Sequence, residues 1–373
     1  MSVKFIDDGT YYSWREIDGY NKTFNFVQSA REPGKTASMW YQKVYLPWKK
    51  DHRPWIYMVR QSVEICEALI TSVFDVNIRK FTDDEFDIDY KIGSFKDGIV
   101  DVFIVYYHNE TDEETGEVKK VIDNKYIFFR IVSLSIQLRR IKLAVLKDVK
   151  NVFMDEYIIN PKNQEKYQPR EAFKIKEAYT TWRRENPNIR FYFAGNPYSL
   201  FNPLFVDWGV DTRKLKKNSF YIGNTFAIQW AIISPKLREK LLKENPLYQF
   251  DEDYSEYALE GTAVNDSNIR LGKLPPNYSL QFVFRIEGKY IGIFSNRYYE
   301  DLEDRFFIKF LDKVGKNRFS YCIDFEDMLD RSILFSLDDR TKLRRFKDSM
   351  RRNLVSFEDI NVYYYMIEIY KNL

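Results

Sequence analysis

At 373 residues the chain is long enough for two domains, and a net charge of +3 from 58 basic and 55 acidic side chains excludes a uniformly basic DNA-coating protein. Two widely separated cysteines, Cys66 and Cys322, and two histidines, His52 and His108, argue against a zinc site, a disulfide framework or a histidine triad, and point to a reducing compartment. The opening "MSVKFIDDGTYYSWREIDGY" has no apolar signal core, and no run approaches the roughly twenty apolar residues of a membrane span, so a soluble intracellular protein is expected.

In chain order, "TFNFVQ" (23–28) is rich in β-branched and aromatic residues and reads as a strand. It leads into Ser29-Ala30-Arg31-Glu32-Pro33-Gly34-Lys35-Thr36, followed by a helical run over 36–46. A phosphate-binding loop follows G-x-x-x-x-G-K-[ST], and here Ser29 stands where the first glycine belongs. The strand-loop-helix context fits such a loop, because backbone N–H groups at a helix N-terminus converge on phosphates. Lys35 would then reach the β- and γ-phosphates and Thr36 would coordinate Mg²⁺. A surface turn is the bland alternative.

Further strands are expected over 54–61, 99–107, 125–132, 150–157 and 190–195, with helices over 62–71 and 170–184. This alternation predicts a mainly parallel sheet with its ligand at the carboxyl ends of the strands. "HNETDEETGEVKKVIDNK" reads as a charged hairpin turning near Glu114-Thr115-Gly116. "QLRRIKLAVLK" (137–147) is basic, as is "WKKDHR" (48–53), and an ordinary solvated surface is the bland reading of each.

"NVFMDEY" is an apolar strand ending in two carboxylates, Asp155 to hold Mg²⁺ and Glu156 to orient and deprotonate an attacking water. "FYFAGNP" is another, ending in Asn196, a polar residue placed to sense the γ-phosphate. Three such pieces in this order point to a nucleotide-hydrolysing core using ATP and Mg²⁺. Its transition state also needs a cation, which arginine supplies well. Arg31 inside the loop is one source; Arg183 and Arg184, before the Asn196 strand, are another, although position alone favours a solvated helix end for them.

After residue 221 the pattern changes. "SPKLREKLLKENP" (234–246) carries a Ser start and a Pro stop for a helix, and an acidic, turn-rich stretch follows. From 278 two apolar runs flank Glu287-Gly288, a hairpin signal, and a helix is expected over 357–372. The expected division is an ATPase domain over 1–222, a helical linker over 223–274 and a small α+β domain over 275–373. The 28 Tyr, 30 Phe and 7 Trp read as packing.

"FNFVQSAREPGKTASM", "VFMDEYI" and "FYFAGNPYSLFNPLF" resemble segments of the DNA-packaging (encapsidation) ATPases of small tailed phages. The resemblance implies an α/β P-loop NTPase core of the RecA/FtsK-like additional-strand class, with a mainly parallel sheet, and a small C-terminal α+β RNase H-like domain that has lost nuclease activity. It implies a ring motor that drives double-stranded DNA into a preformed procapsid, expected to be a pentamer. Lys35 and Thr36 match the loop's ligands, Asp155 and Glu156 the magnesium-binding and catalytic carboxylates, and Asn196 the sensor. Arg31 matches the loop arginine of such motors, and Arg184 falls on the arginine finger that acts on a neighbouring subunit. Ser29 and Glu32-Pro33 depart from the glycine-bearing pattern, and the 114 hairpin is longer.

DNA would be gripped by sequence-blind cations, with Arg139, Arg140 and Lys142 the first candidates and 48–53 second. The basic stretch 340–353 would hold a structural packaging RNA or dock on the capsid portal, and a solvated helix face is its bland reading. The expected setting is the host cytoplasm, transiently at the procapsid, without a membrane. Two rivals remain: a large terminase with an active nuclease built on acids such as Glu287, Glu300, Asp301 and Asp324, although Arg285 stands where a central acid is wanted; and a nucleotide-dependent switch or scaffold that barely hydrolyses.

Overall fold

The computed structural model describes residues 9–73, 89–95, 98–111, 118–159, 167–198, 203–210, 214–250, 255, 258–259, 270–296, 305–315, 319–322, 327–334, 341–351 and 354–371. The chain divides into two compact units, one of residues 1–198 and 214–262, the other of 199–213 and 263–373. The expected hairpin tip at Glu114-Thr115-Gly116 lies outside the described residues, as do Glu300, Asp301 and Asp324.

The first unit is built on a nine-stranded sheet. Its strands are β1 (Phe24–Gln28), β2 (Trp55–Val59), β3 (Asp89–Ile92), β4 (Ile99–Thr111), β5 (Val118–Ser133), β6 (Asn151–Met154), β7 (Arg190–Gly195), β8 (Ser219–Ile222) and β9 (Phe226–Trp230). Their order is β3-β4-β5-β2-β6-β7-β1-β9-β8. The run from β5 to β9 is parallel throughout, and antiparallel strands finish each edge. β1, β2, β6 and β9 are buried at every position, as continuous apolar strands between two covered faces must be. β7 lies between β1 and β6, so one strand separates the Ser29 loop from Asp155. That is the sheet order of the additional-strand class.

Two differences from the sequence reading concern domain limits. β9 pairs with β1 from Phe24↔Phe226 to Gln28↔Trp230, so the nine-stranded sheet takes in residues expected to be linker. Residues 199–213 group with the second unit although they follow β7. Neither is visible locally, because both depend on which distant segment a short apolar run meets.

Aromatic side chains fill the core. Trp14, Trp40, Trp48 and Trp55 are fully buried in one cluster with Phe128, Phe129 and Phe153. Trp40 meets Trp55 at 4.4 Å between ring centroids and Phe153 at 5.7 Å, both edge to face. Among the described residues no helix is long and apolar enough to cross a membrane.

The second unit has a six-stranded sheet of β10 (Tyr278–Ile286), β11 (Lys289–Asn296), β12 (Phe306–Leu311), β13 (Ser320–Cys322), β14 (Ser332–Leu334) and β15 (Val355–Phe357), in the order β14-β13-β10-β11-β12-β15. β10, β11 and β12 form an antiparallel meander, and β13 and β14 continue parallel from β10. The predicted hairpin turns at Glu287 (φ +47°) and Gly288 (φ +76°), the two left-handed residues of a two-residue loop. Asp327 latches that turn, accepting from the Glu287 and Gly288 backbone N–H groups at 2.6 and 2.8 Å. Arg285, on the central strand, donates to the Asp327 carbonyl at 2.8 Å. The helix Thr341–Arg351 buries Leu343 and Phe346 and exposes Arg344 and Arg345, an amphipathic element with a basic outer face.

Candidate nucleotide-binding site

Register assembles the site. Gln28 pairs with Gly195 and Met154 with Phe193, so the residues that follow β1, β6 and β7 emerge together at the carboxyl edge. Ser29, Asp155 and Asn196 are those residues. Gly195 itself is constrained, since a Cβ there would lie 2.8 Å from the Tyr157 ring.

The loop turns at Gly34, whose φ of +76° starts the helix Lys35–Met39 from a left-handed cap. A Cβ at Gly34 would also stand 2.7 Å from Cδ1 of Tyr11, so glycine is required on both counts. The helix runs on through a wider turn at Trp40–Tyr45 and ends at Asp51. Ser29 is fully buried and its hydroxyl donates to the Ala30 carbonyl at 3.0 Å. The other departures from a glycine-rich loop are likewise anchored. The Glu32 carboxylate accepts from the Tyr248 hydroxyl at 2.7 Å, and the Pro33 carbonyl accepts from the Tyr12 N–H at 2.8 Å.

Lys35 is 5% exposed, and its ammonium donates to the Ala30 carbonyl at 3.1 Å and to Asn196 Oδ1 at 2.7 Å. Thr36 Oγ1 donates to Asp155 Oδ2 at 2.8 Å. A hydroxyl and a carboxylate held this way form a hard-oxygen pair of the kind Mg²⁺ prefers, so the residues fit that ion. Arg31 is exposed, and its guanidinium donates to the Tyr198 hydroxyl at 2.9 Å.

Burial lowers the Lys35 ammonium to about 8, against the pull of Asp155 and Glu156. Burial raises the Asp155 carboxyl, and Lys35 and Thr36 oppose it. For Lys35 the folded value lies below the unfolded one, so burying its charge costs stability below about pH 8, and that cost is relieved as pH rises towards 10.5. A polyphosphate bound beside Lys35 would restore the charge. Nucleotide binding between pH 8 and 9 is therefore expected to take up protons, read as a dependence of calorimetric enthalpy on the buffer's ionisation enthalpy. Binding without proton uptake there would mean that phosphate does not meet Lys35.

Glu156 follows Asp155 with φ +51°, a left-handed conformation that costs a non-glycine residue about 1 kcal/mol and is often stored at functional sites. Its side chain is exposed at the carboxyl edge. Arg60 holds this strained backbone. The β2–β6 register, Tyr57↔Phe153, carries Arg60, one residue beyond β2, to the level of Glu156, two residues beyond β6. Its guanidinium donates to the carbonyls of Glu156 (3.2 Å) and Tyr157 (3.0 Å) and is fixed by two bonds to Glu171 (3.0 and 3.2 Å). Burial alone would depress the arginine, but Glu171 raises it. The sequence reading left Arg60 as the end of a strand, and its one signal was a charged residue closing an apolar run.

The structure thus gathers Arg31, Lys35, Thr36, Asp155, Glu156 and Asn196 at one edge. Arg183 and Arg184 are elsewhere. Both are exposed at the end of the helix Glu171–Trp182, before the amino end of β7. The six residues of β7 separate them from Asn196, about 20 Å of extended chain. Arg184 therefore lies at the far edge from its own loop. Among the basic candidates, Arg139 is exposed and Arg140 half-buried, while Lys142 forms an ion pair with Glu177. In 48–53, Lys50 is exposed and Lys49 sits over the Tyr45 ring at 5.9 Å.

No family model matches the chain, and no curated protein matches it by sequence. The fold does have solved counterparts. The chain is similar to a chain of the bacteriophage Phi-29 viral genome packaging motor assembly, at 18% identity and a TM-score of 0.64, covering 97% of this chain and 99% of that one. It is similar also to the Phi-28 gp11 DNA packaging motor, at 15% identity and a TM-score of 0.60, covering 94% of each chain. At these identities the likeness is one of fold, and it extends over nearly the whole chain.

Proposed function

We propose that this chain is the ATPase subunit of a viral genome-packaging motor, a ring that hydrolyses ATP to move double-stranded DNA into a preformed procapsid. The observation that carries the reading is the convergence of Lys35, Thr36, Asp155 and Asn196 at the carboxyl edge of an additional-strand sheet. The whole-chain fold likeness to packaging motors supports it.

Lys35 and the 29–36 backbone bind the phosphates, and Thr36 with Asp155 holds Mg²⁺, which when bound neutralises phosphate charge. Glu156 takes a proton from the attacking water, and Arg31 balances charge spreading over the γ-phosphate oxygens. Asn196, already bonded to Lys35, reports whether the phosphate is present. Arg184 completes a neighbour's site, since six strand residues part it from its own. That requires an oligomer, and a pentameric ring is the form proposed. Arg139 and Arg140 contact the DNA backbone, and the second unit carries the basic helix that docks on the portal or a structural RNA. The motor works in the host cytoplasm on the procapsid.

The test is ATP turnover with and without double-stranded DNA, for Arg184→Ala, Glu156→Ala and their mixture. DNA stimulation is expected, with activity in the mixture that neither variant has alone. Normal hydrolysis by Arg184→Ala together with indifference to DNA would sink the ring-motor reading.

A further inference from the structure

Tyr198 stands two residues beyond the Asn196 position and is absent from any phosphate-loop pattern. It is 7% exposed, and its N–H donates to the Asn196 carbonyl at 2.8 Å, a tight turn that fixes its backbone. Its hydroxyl oxygen meets two donors, Nη2 of Arg31 at 2.9 Å and Nδ2 of Asn196 at 3.3 Å. The Arg31 guanidinium also lies 5.9 Å from the centre of the Tyr198 ring.

The direction of these bonds is settled by chemistry. An ammonium only donates, so the amide of Asn196 must turn its oxygen to Lys35, and its nitrogen is left facing Tyr198. A guanidinium also only donates. An oxygen acceptor at position 198 therefore serves both partners at once, and neither an aliphatic nor a plain aromatic side chain replaces it. Arg31 is an exposed, long side chain on a loop, and ordering it costs rotamer freedom. The rigid phenol bears that ordering before nucleotide arrives, and the neutral Tyr198–Asn196 link spaces two cations, Arg31 and Lys35, that would otherwise repel.

We propose that Tyr198 is a positioning residue of the nucleotide site, its hydroxyl holding the loop cation Arg31 and the strand-end amide Asn196 in fixed register about Lys35. The inference rests on the reading of residues 29–36 as the ATP site. Pre-ordering of this kind acts where charge develops, so it governs kcat more than KM.

The experiment is a cycle on the full chain with ATP and double-stranded DNA, using Tyr198→Phe, Arg31→Ala and the double variant, with thermal unfolding recorded beside each. Tyr198→Phe keeps the ring and its burial. The expected result is a fall in kcat of about tenfold with KM changed by less than about twofold, and no comparable further loss when Arg31 is already alanine. Wild-type kcat in Tyr198→Phe, or a loss that adds in full to that of Arg31→Ala, overturns the inference. Should Tyr198→Phe fail to fold, Tyr198→Leu replaces it, an apolar side chain that likewise offers no oxygen to Arg31 or Asn196. Wild-type kcat in that variant overturns the inference equally. Lys35→Ala separates the two levels. If it hydrolyses ATP normally, the nucleotide site itself is misread; if it is dead while Tyr198→Phe is normal, the positioning role alone fails.

Discussion

Glu156→Gln is expected to lower ATP turnover by about 10²–10⁴-fold while nucleotide affinity stays within a factor of a few. The substitution keeps size and polarity and removes only the capacity to take a proton. Its backbone anchors are untouched, because Arg60 grips the Glu156 carbonyl and Asp155 accepts from the Glu156 N–H at 3.0 Å. Thr36 and Asp155 still meet, so the pair proposed to hold Mg²⁺ survives. Steady-state turnover set beside fluorescent-nucleotide binding separates the two effects. Equal losses in both would mean that Glu156 binds rather than activates, and unchanged turnover would remove it from the chemistry.

Arg60→Ala is expected to destabilise the first unit strongly. Arg60 is 7% exposed and Glu171 1%, and their two bonds bury a charge pair inside the protein. Removing one member of such a pair costs about 3–5 kcal/mol, because the other charge stays buried without its partner. The Gln168 N–H, which donates to Glu171 at 2.9 Å, does not neutralise it. Replacing both, Arg60→Met with Glu171→Met, is expected to recover most of that stability, since well-packed apolar residues substitute for buried pairs with little loss. Turnover is not expected to recover with it, because the carbonyls of Glu156 and Tyr157 lose their donor and the left-handed backbone at Glu156 its support. Denaturant unfolding and ATP turnover on the same three proteins check both halves. Recovery of activity along with stability would reduce Arg60 to a structural ion pair.

Much of the local structure was legible because its causes are local. The strand read over 190–195 is β7 with the same bounds, since "RFYFAG" has the aromatic character a buried strand favours and ends on glycine. Ser234 caps the helix Pro235–Glu244, its hydroxyl accepting from the Leu237 N–H at 3.2 Å, as a serine before a proline-led helical run predicts. Glu287-Gly288 turns its hairpin because Gly288 takes a left-handed backbone freely, while Glu287 bears the cost of one beside it. The expected helix over 62–71 came apart into Ser62–Glu64 and Glu67–Thr71, because the backbone is extended at Ile65 and Cys66 between them.

The sequence by itself therefore determined the strands that lead into the site and the chemical types available at their ends: a lysine and threonine after one strand, two acids after a second, an asparagine after a third. Tertiary structure alone decided their assembly. It inserted β7 between β1 and β6, brought β9 into the sheet, set Arg60 beside Glu156, turned Tyr198 towards Arg31, and carried Arg184 to the opposite edge. The reason is physical. Turns and caps are satisfied within a few residues, whereas parallel pairing joins segments tens to hundreds of residues apart, and burial and register decide which apolar strand meets which.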